Sequence, residues 1–273
     1  MNRYIIPDLS QIGESLKIAE EYGTAFEYND FFRPNVLDDK EEQNRLIREY
    51  KALGRDARQD TMHGAFLDIT IASYDKKIQE VSKDRVKRSL EIGERIGLKG
   101  VVFHTNYITN FLLDSYCNNW LKVNEEFWSE MLLEFPSLNI YMENMFDTDP
   151  VLIGRLAELM KEKERFGICF DYAHAALSHT SAKEWISALY PYIRHMHIND
   201  NNLLADLHQP VGRGKIDWAE YRILMEEYKL EPSVLIEVAG AENQRESIQT
   251  MIAGGLYPYN LSGGICKTAN KVI

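Results

Sequence analysis

The segment GICFDYAH, residues 167–174, contains a short apolar run that ends on a carboxylate, Asp171, with His174 three residues later. A run of this length, bounded by glycine on one side and polar residues on the other, is typical of a buried parallel strand. A carboxylate placed directly after three apolar residues would suffer a large desolvation penalty if it had no partner. The segment therefore predicts a buried strand whose end holds a polar site.

The same pattern recurs along the chain, where short apolar runs alternate with longer amphipathic segments. The eight predicted strands are residues 4–6, 25–28, 61–63, 101–104, 140–143, 168–171, 193–198 and 234–238. The clearest predicted helices are residues 10–22, 41–53, 82–96, 124–134 and 150–161, with Ser10, Ser82 and Asp149 as N-caps and Gly23, Gly54 and Gly97 as C-terminal stops. Eight strands that alternate with helices predict an α/β fold, a closed (β/α)8 TIM barrel. An open doubly wound sheet is disfavoured because no glycine-rich dinucleotide turn follows the first strand.

The length of 273 residues is close to that of one such barrel. We therefore expect a single domain that covers residues 1–273. Residues 254–273 are rich in glycine, asparagine and serine and lack helical periodicity. We expect this segment to be either a mobile tail or a flap over the outside of the barrel.

Composition restricts the cellular setting and the partners. No apolar run reaches the roughly 18 residues of a membrane span, and the first ten residues do not resemble a signal peptide, so a cytoplasmic protein is expected. Cys117, Cys169 and Cys266 are too far apart to indicate a disulfide framework or a cysteine zinc site. The net charge of −11 argues weakly against a nucleic-acid partner, and nothing in the sequence specifies an oligomeric state.

Histidines and carboxylates lie at or just after six of the eight predicted strand ends. In a parallel barrel these ends converge on one face, where active sites form. A single such residue is ordinarily a core histidine or a helix N-cap, but nine groups in phase with the strands favour a divalent metal site. Nitrogen and carboxylate ligands suit Zn²⁺ or Mn²⁺, and a carboxylate-rich subset also suits Mg²⁺ or Co²⁺. The residues concerned are His63, His104, Glu143, Asp171, His174, His197, Asp206, His208 and Glu237.

Two other histidines fall outside this prediction. His195 precedes His197 by two residues, so it should face the same side of the sheet from a deeper position. We expect it to be a hydrogen-bonded core residue. His179 lies in a predicted loop or helix start and should be solvated.

Four segments resemble the xylose-isomerase-like TIM-barrel superfamily, which includes sugar isomerases, ketose 3-epimerases, inosose-processing enzymes and endonuclease IV. They are GICFDYAH at 167–174, HMHIND at 195–200, DLHQPVGRGKIDW at 206–218 and HGAFLDITIASYD at 63–75. The last is similar to the third-strand region of the sugar isomerase/epimerase branch. Members of that branch carry a metal quartet of Glu, Asp, His and Glu on strands five to eight. The resemblance places this quartet on Glu143, Asp171, His197 and Glu237.

Endonuclease IV, with three zinc ions, is the rival within the superfamily, because its ligand types all occur here, on the nine residues given above. The chain departs from its motifs, however. Endonuclease IV has Ser or Thr and then Cys at the positions of Tyr172 and Ala173. Its Ser-Lys continuation is replaced here by Asn201 and Asn202. Its Arg between the Asp and His ligands is replaced by Leu207, between Asp206 and His208. The missing Lys and Arg are residues that could contact phosphates. We therefore rank the sugar branch first.

The first hypothesis is a divalent-metal-dependent isomerase or epimerase that acts on a sugar, sugar phosphate or cyclitol through a metal-stabilised enediolate. Glu143 and Glu237 would exchange the proton next to the carbonyl, and His174 would hydrogen-bond a substrate oxygen. Arg213, in the loop 212–215, would bind the distal end of the substrate or would lie in a solvated turn. The remaining outer residues would contact the substrate or additional metal, and they are His63, His104, Asp206 and His208.

Two alternatives remain. One is an endonuclease IV-like zinc phosphodiesterase that acts on abasic DNA, and the other is a non-catalytic metal- or ligand-binding barrel. The opposed pair of glutamates argues against a pure binder, since such a protein needs no acid and base. We also expect Tyr107 and Trp218 to line the pocket.

Overall fold

The computed structural model describes residues 2–111 and 113–260. Eight parallel strands form a closed barrel in sequence order, and the last strand pairs with the first. The predicted (β/α)8 barrel is confirmed. The strands are β1 (Arg3–Ile5), β2 (Ala25–Tyr28), β3 (Thr61–His63), β4 (Gly100–His104), β5 (Asn139–Glu143), β6 (Phe166–Asp171), β7 (Ile193–Ile198) and β8 (Ser233–Ile236).

Helices connect the strands and surround the barrel. They are α1 (Ile12–Tyr22), α2 (Pro34–Asp38), α3 (Lys40–Ala52), α4 (Lys76–Ile96), α5 (Asp114–Glu134), α6 (Val151–Leu159), α7 (Tyr172–Leu177), α8 (Ala182–Leu189), α9 (Trp218–Glu227) and α10 (Ala241–Gly254). Among the described residues, no helix combines the length and the apolar character needed to cross a membrane.

Helix starts differ more from the sequence-based prediction than strand bounds, which agree within two residues. The prediction that α4 begins at Ser82 is wrong, because Asp75 caps the helix by accepting from the backbone N–H of Lys77. Ser82 lies inside α4, where its hydroxyl accepts from the Thr70 N–H. α5 likewise begins ten residues before Asn124, whose amide is used inside the helix to bond Trp128. The part of α4 before Ser82 has no buried residue, so periodicity placed that start too late, whereas the first turn of α5 buries Tyr116 and Cys117, a signal that the prediction did not use.

The other predicted helix caps agree more closely with the observed helix ends. Ser10 lies in a 3-10 turn (Leu9–Gln11) ahead of α1. The carboxylate of Asp149 accepts from the Val151 N–H at the start of α6. The glycines predicted to stop three helices, Gly23, Gly54 and Gly97, have positive φ angles of 65°, 67° and 90°. These angles favour glycine over any residue with a Cβ, which explains the stops.

The two faces of the barrel strands are packed differently. Outward side chains such as Phe103 and Phe170 join one large core between the strands and the helices. Inward side chains form two small apolar clusters, Tyr4 with Ala25 and Leu235, and Val102 with Tyr141 and Cys169. Polar side chains follow toward the carboxyl ends of the same strands. The amino-terminal part of the barrel interior is therefore filled with apolar side chains. The carboxyl-terminal part, where loops form binding sites, is polar.

The segment after α10 packs beside the amino-terminal ends of β1 and β8, at the opposite end of the barrel. Tyr257 donates a hydrogen bond to the carbonyl of Pro232 at 2.6 Å, and the guanidinium of Arg3 lies 4.7 Å from the ring centre of Tyr259. Of the tail predicted from residue 254, residues 256–259 are buried against the molecule, and residues 261–273 lie outside the described residues.

Candidate metal centre

Four side chains converge at the carboxyl ends of β5 to β8. Glu143 and Asp171 are the last residues of β5 and β6, His197 is the penultimate residue of β7, and Glu237 directly follows β8. One nitrogen or oxygen from each lies within 4.8 Å of the others. The first three side chains are fully buried, and Glu237 is 7% exposed.

The atoms that converge lack hydrogen-bond partners. Both oxygens of Glu143, Oδ2 of Asp171, Nδ1 of His197 and Oε2 of Glu237 are buried without one. His197 Nδ1 lies 3.2 Å from Glu143 Oε1 and 3.3 Å from Glu237 Oε2, close enough to interact but without hydrogen-bond geometry. Ligands at about 2.0–2.1 Å from a tetrahedral ion are about 3.3 Å apart. The donor set, its spacing and its unsatisfied atoms therefore fit a divalent cation.

Asp171 serves local structure with one oxygen and offers the other to the cluster. Its Oδ1 accepts from the His174 N–H at 2.6 Å and caps α7. Asn144 holds the backbone of Asp171 on both sides, accepting from its N–H and donating to its carbonyl, each at 2.9 Å. The N-cap and ligand interpretations of this residue are thus compatible.

A second group adjoins the quartet through Glu143. His63 Nε2 and His104 Nε2 lie 3.1 Å apart and are 3.6 and 3.2 Å from Glu143 Oε2. His63 Nδ1 is 2.9 Å from the carbonyl of Gly64, which can only accept. His63 therefore carries its proton on Nδ1 when neutral, and its Nε2 lone pair faces the cavity.

A third group lies on the other side of the quartet. Asp206 Oδ2 is 3.4 Å from His174 Nε2 and 2.9 Å from His208 Nε2. The Nδ1 atoms of these histidines face the backbone carbonyls of Asn144 and Glu237, at 2.9 and 2.8 Å. Each carbonyl fixes the ring so that Nε2 faces inward, a common arrangement behind metal-binding histidines.

The mixture of buried acids and imidazoles shifts their ionisation. Burial raises the pKa of Asp171 to about 7 against the attraction of His174. Burial also opposes ionisation of Glu143, but His197 and His104 outweigh it and hold its pKa well below the ordinary value. For His208, Asp206 and Glu237 overcome burial and raise the pKa to about 10. Histidines thus supply the positive charge that keeps Glu143 ionised, whereas Asp171 lacks enough of it, and a bound cation would supply such charge to both.

All the predicted site residues lie in the part of the chain that the structure describes. The structure brings each of them to one of these three groups except Arg213. Its guanidinium pairs with Glu246 on α10, and its side chain is 65% exposed. The loop instead turns around Asp200, whose carboxylate accepts from the N–H groups of Gly212 and Ile216. The Arg213 side chain is thus directed along the surface by a local ion pair that spacing could not reveal.

The aromatic residues expected in the pocket pack elsewhere. Tyr107 contacts the ring of Trp120, and Trp218 donates to Asp200 while packing on Tyr172. Three partly exposed phenylalanines contact the cluster instead. Phe66 lies 4.9 Å, between ring centres, from both His63 and His104, Phe146 lies 5.4 Å from His174, and Phe32 packs near Phe66.

Glu27 is the acidic residue that sequence reasoning missed. It lies in the middle of β2, is fully buried, and reaches His195 and His197 across the barrel. His195 is a buried, hydrogen-bonded residue below His197, as predicted. The available signal was a carboxylate inside the apolar run AFEY, residues 25–28, but the prediction rested on the ends of the runs.

Comparison with known proteins agrees with the barrel fold described above. A family model described as a xylose isomerase-like TIM barrel matches residues 16–253. The uncharacterised protein MJ1614 of Methanocaldococcus jannaschii is 29% identical over 172 residues, or 59% of this chain and 64% of that protein. The chain thus spans about two thirds of the length of the curated relatives it matches.

Solved structures share the architecture at low sequence identity. The TTHB071 protein from Thermus thermophilus, soaked with ZnCl2, has a TM-score of 0.73 and 20% identity over 93% of this chain and 97% of that chain. A D-tagatose 3-epimerase-like protein has a TM-score of 0.71 and 22% identity over 95% and 98%. Other chains with this fold include L-ribulose 3-epimerase and D-psicose 3-epimerase. At these identities the likeness establishes the fold.

Proposed function

The chain belongs to the xylose isomerase-like TIM-barrel family, and we propose that it is a divalent-metal-dependent isomerase or epimerase acting on a carbohydrate. The observation that carries this proposal is the convergence of unpaired buried atoms from Glu143, Asp171, His197 and Glu237. Four such groups are costly to bury without a cation. Zn²⁺ or Mn²⁺ suits this donor set best, and Mg²⁺ or Co²⁺ is compatible with its three carboxylates.

The two glutamates are suited to moving a proton. Glu143 ends β5 and Glu237 directly follows β8, and because two strands separate β5 from β8, the two side chains approach the cluster from different directions. One would remove the proton next to a substrate carbonyl, and the other would return it to the neighbouring position or opposite face. When bound, the cation would act as a Lewis acid toward the substrate oxygens. His174 lies beside Glu143 and Asp171 and would orient a substrate hydroxyl.

The surroundings of the site support an uncharged substrate. Phe32, Phe66 and Phe146 place apolar rings beside the cluster, as in many small-molecule sites. Arg213, the cation expected to hold a distal phosphate, is engaged with Glu246. We therefore favour an unphosphorylated sugar or cyclitol over a sugar phosphate.

Solvent exchange provides a direct test that does not require the product to be identified. The metal-loaded protein would be incubated in D₂O with ketopentoses, ketohexoses and ketocyclitols, and deuterium next to the carbonyl would be followed by NMR. Glu143→Gln and Glu237→Gln should each reduce exchange and turnover by about 100- to 10,000-fold, because each removes a proton-transfer group. Chelation should abolish both.

Glu226→Gln, an exposed substitution on α9, serves as the matched control and should retain full activity. Wild-type protein that binds a divalent ion but exchanges no substrate proton across these classes would contradict the proposal.

The second candidate is a zinc phosphodiesterase acting on abasic DNA. The specific observation in its favour is that the three groups are contiguous, with Glu143 shared by two of them and Asp206 joining His174 to His208. The mouth offers little to a duplex, however, because the strand-to-helix loops 29–33, 64–75, 105–113, 144–150 and 199–217 contain only Arg33, Arg213 and Lys215 as cations.

We expect about one tightly bound ion per chain and no incision of abasic-site duplex by the metal-loaded protein. Metal content by mass spectrometry and a gel assay with a labelled duplex would measure both. Three ions together with metal-dependent incision at physiological salt would reverse the ranking.

A further inference from the structure

Glu27 is a fully buried carboxylate beneath the quartet, on a strand that contributes no ligand to it. Its Oε2 lies 3.1 Å from His195 Nε2 within hydrogen-bond geometry, and its Oε1 lies 3.0 Å from His197 Nε2, a charge contact without hydrogen-bond geometry. The hydroxyl of Thr61, on β3, donates to Oε2 at 2.6 Å. The carboxylate thus interacts with groups from two other strands and points across the barrel interior.

The chemistry of these contacts determines which nitrogen of His197 carries the proton. An ionised carboxylate has no proton to donate and attracts N–H groups. It therefore stabilises the form of the ring in which the nitrogen facing it carries a proton. Glu27 therefore favours a proton on Nε2 of His197. In a neutral imidazole the lone pair is then on Nδ1, the atom 3.2 Å from Glu143 Oε1 and 3.3 Å from Glu237 Oε2.

His195 supports this arrangement from below. Its Nδ1 lies 2.6 Å from the hydroxyl oxygen of Ser233, which leaves Nε2 directed at Glu27. The ring also stacks on Tyr141, with 5.5 Å between ring centres. Glu27 consequently has little freedom to turn away from His197.

Stability alone does not account for a charge at this position. A buried ion pair contributes little over well-packed apolar side chains of similar volume, and apolar residues already fill the barrel interior just below. A carboxylate behind a metal-binding histidine, in contrast, fixes its ring and raises its basicity.

We propose that Glu27 is a positioning residue that presents Nδ1 of His197 to the cation, an inference that rests on the proposed metal centre. The proposal predicts that Glu27 controls metal affinity without contacting the metal. It also predicts that Nε2 of His197 carries a proton, favoured by the charge of Glu27, before any metal is added.

The test compares wild-type protein with Glu27→Gln, which keeps the shape and removes the charge. Zn²⁺ dissociation constants would be measured by competition with a chelator, and Glu27→Gln should weaken binding by about 10- to 100-fold. In metal-free protein, ¹H–¹⁵N NMR should show a slowly exchanging Nε2–H resonance of His197, assigned by its absence in His197→Gln. In Glu27→Gln this resonance should shift and exchange faster.

Asp60→Asn is the matched control. It removes another buried carboxylate, located before β3 at the opposite end of the barrel, where it bonds Tyr28 and the Phe26 N–H. It should lower thermal stability and leave Zn²⁺ affinity unchanged. If Glu27→Gln does not fold, Thr61→Val tests the same contact more mildly, with an expected loss of about three- to tenfold in affinity.

The outcomes separate this inference from the proposed function. Unchanged Zn²⁺ affinity in both variants, or a wild-type spectrum without the Nε2–H resonance, overturns the role of Glu27 and leaves the metal centre intact. Wild-type protein that takes up no divalent ion overturns the metal centre and this role with it.

Discussion

Asp147 illustrates how burial outweighs neutral hydrogen-bond donors and the attraction of His174 at a single carboxylate. It is 3% exposed, accepts from the hydroxyl of Thr105 at 2.8 Å and from the Met145 N–H at 3.0 Å, and none of its hydrogen bonds involves the quartet. Burial raises its pKa from 3.8 to about 7 despite these hydrogen bonds. In the unfolded chain the same group ionises near 3.8.

This difference predicts a pH-dependent stability. The folded state binds the additional proton between these two pKa values, so the contribution of the neutral carboxyl is fully present below about pH 4 and is lost as the pH rises through about 7. Asp147→Asn cannot ionise. At about 1.4 kcal/mol per pKa unit, the free energy of unfolding of the variant relative to wild type should increase by about 2–3 kcal/mol from pH 5 to pH 8.

Urea denaturation of both proteins with a chelator present would measure this difference. A relative stability that stays constant across this pH range would show that Asp147 is ionised in the folded protein throughout.

At the scale of elements, the connection between β7 and α9 carries site residues without regular secondary structure. Asp200 organises it, with its carboxylate accepting from the N–H groups of Asn201, Gly212 and Ile216 and from the indole of Trp218. The backbone of Asp200 also pairs with Gln209 in both directions at 2.8 Å. This network fixes the intervening segment that includes Asp206 and His208.

Gly214 is the position at which this connection tolerates no side chain. A Cβ there would overlap the carbonyl oxygen of Asn201 and Oδ1 of Asp200. Gly214→Ala should therefore displace the loop, destabilise the protein by about 1–3 kcal/mol and increase cleavage within residues 199–217 during limited proteolysis.

Gly13→Ala in α1 is the control, because no atom lies within 4 Å of the position that its methyl group would occupy. Helix propensity also favours alanine there by about 0.5–1 kcal/mol. Equal proteolytic resistance in both variants would show that the loop is not held at Gly214.

At the scale of the whole molecule, the candidate centre connects four adjacent strands of a closed barrel. Its groups come from β5, β6 and β7 and from the residue after β8, which are far apart in sequence. An ion that binds only the folded state would stabilise all four connections together. An increase in the free energy of unfolding on addition of the ion should therefore report metal binding directly.

We expect Zn²⁺ at about 100 times its dissociation constant to add about 2.7 kcal/mol of stability, or roughly 5–10 °C in Tm. Calorimetry with and without a chelator would measure the shift, and His197→Gln should reduce it strongly. The same Tm in both conditions for wild-type protein would contradict a metal centre that spans the strands.

Local sequence was sufficient for the barrel and for most of the residues around its mouth. Short apolar runs specify buried strands, and their ends can be read from a change of residue type. Glu143, Asp171 and His197 are therefore predicted at or near strand ends, where the structure also has them. Helix starts were predicted less well, because the first turn of α4 buries no residue and the buried Tyr116 and Cys117 in the first turn of α5 were not used.

Tertiary structure alone decided which atoms meet. Glu27 and His195 are 168 residues apart in sequence and touch only because the barrel closes. The direction of Arg213 depends on Glu246, 33 residues later on α10, and the proton positions on the histidines depend on carbonyls such as those of Gly64 and Asn144. Residue type and strand phase are local properties that the sequence determines, whereas contacts across the barrel and the orientation of each ring follow from closure, which no local pattern encodes.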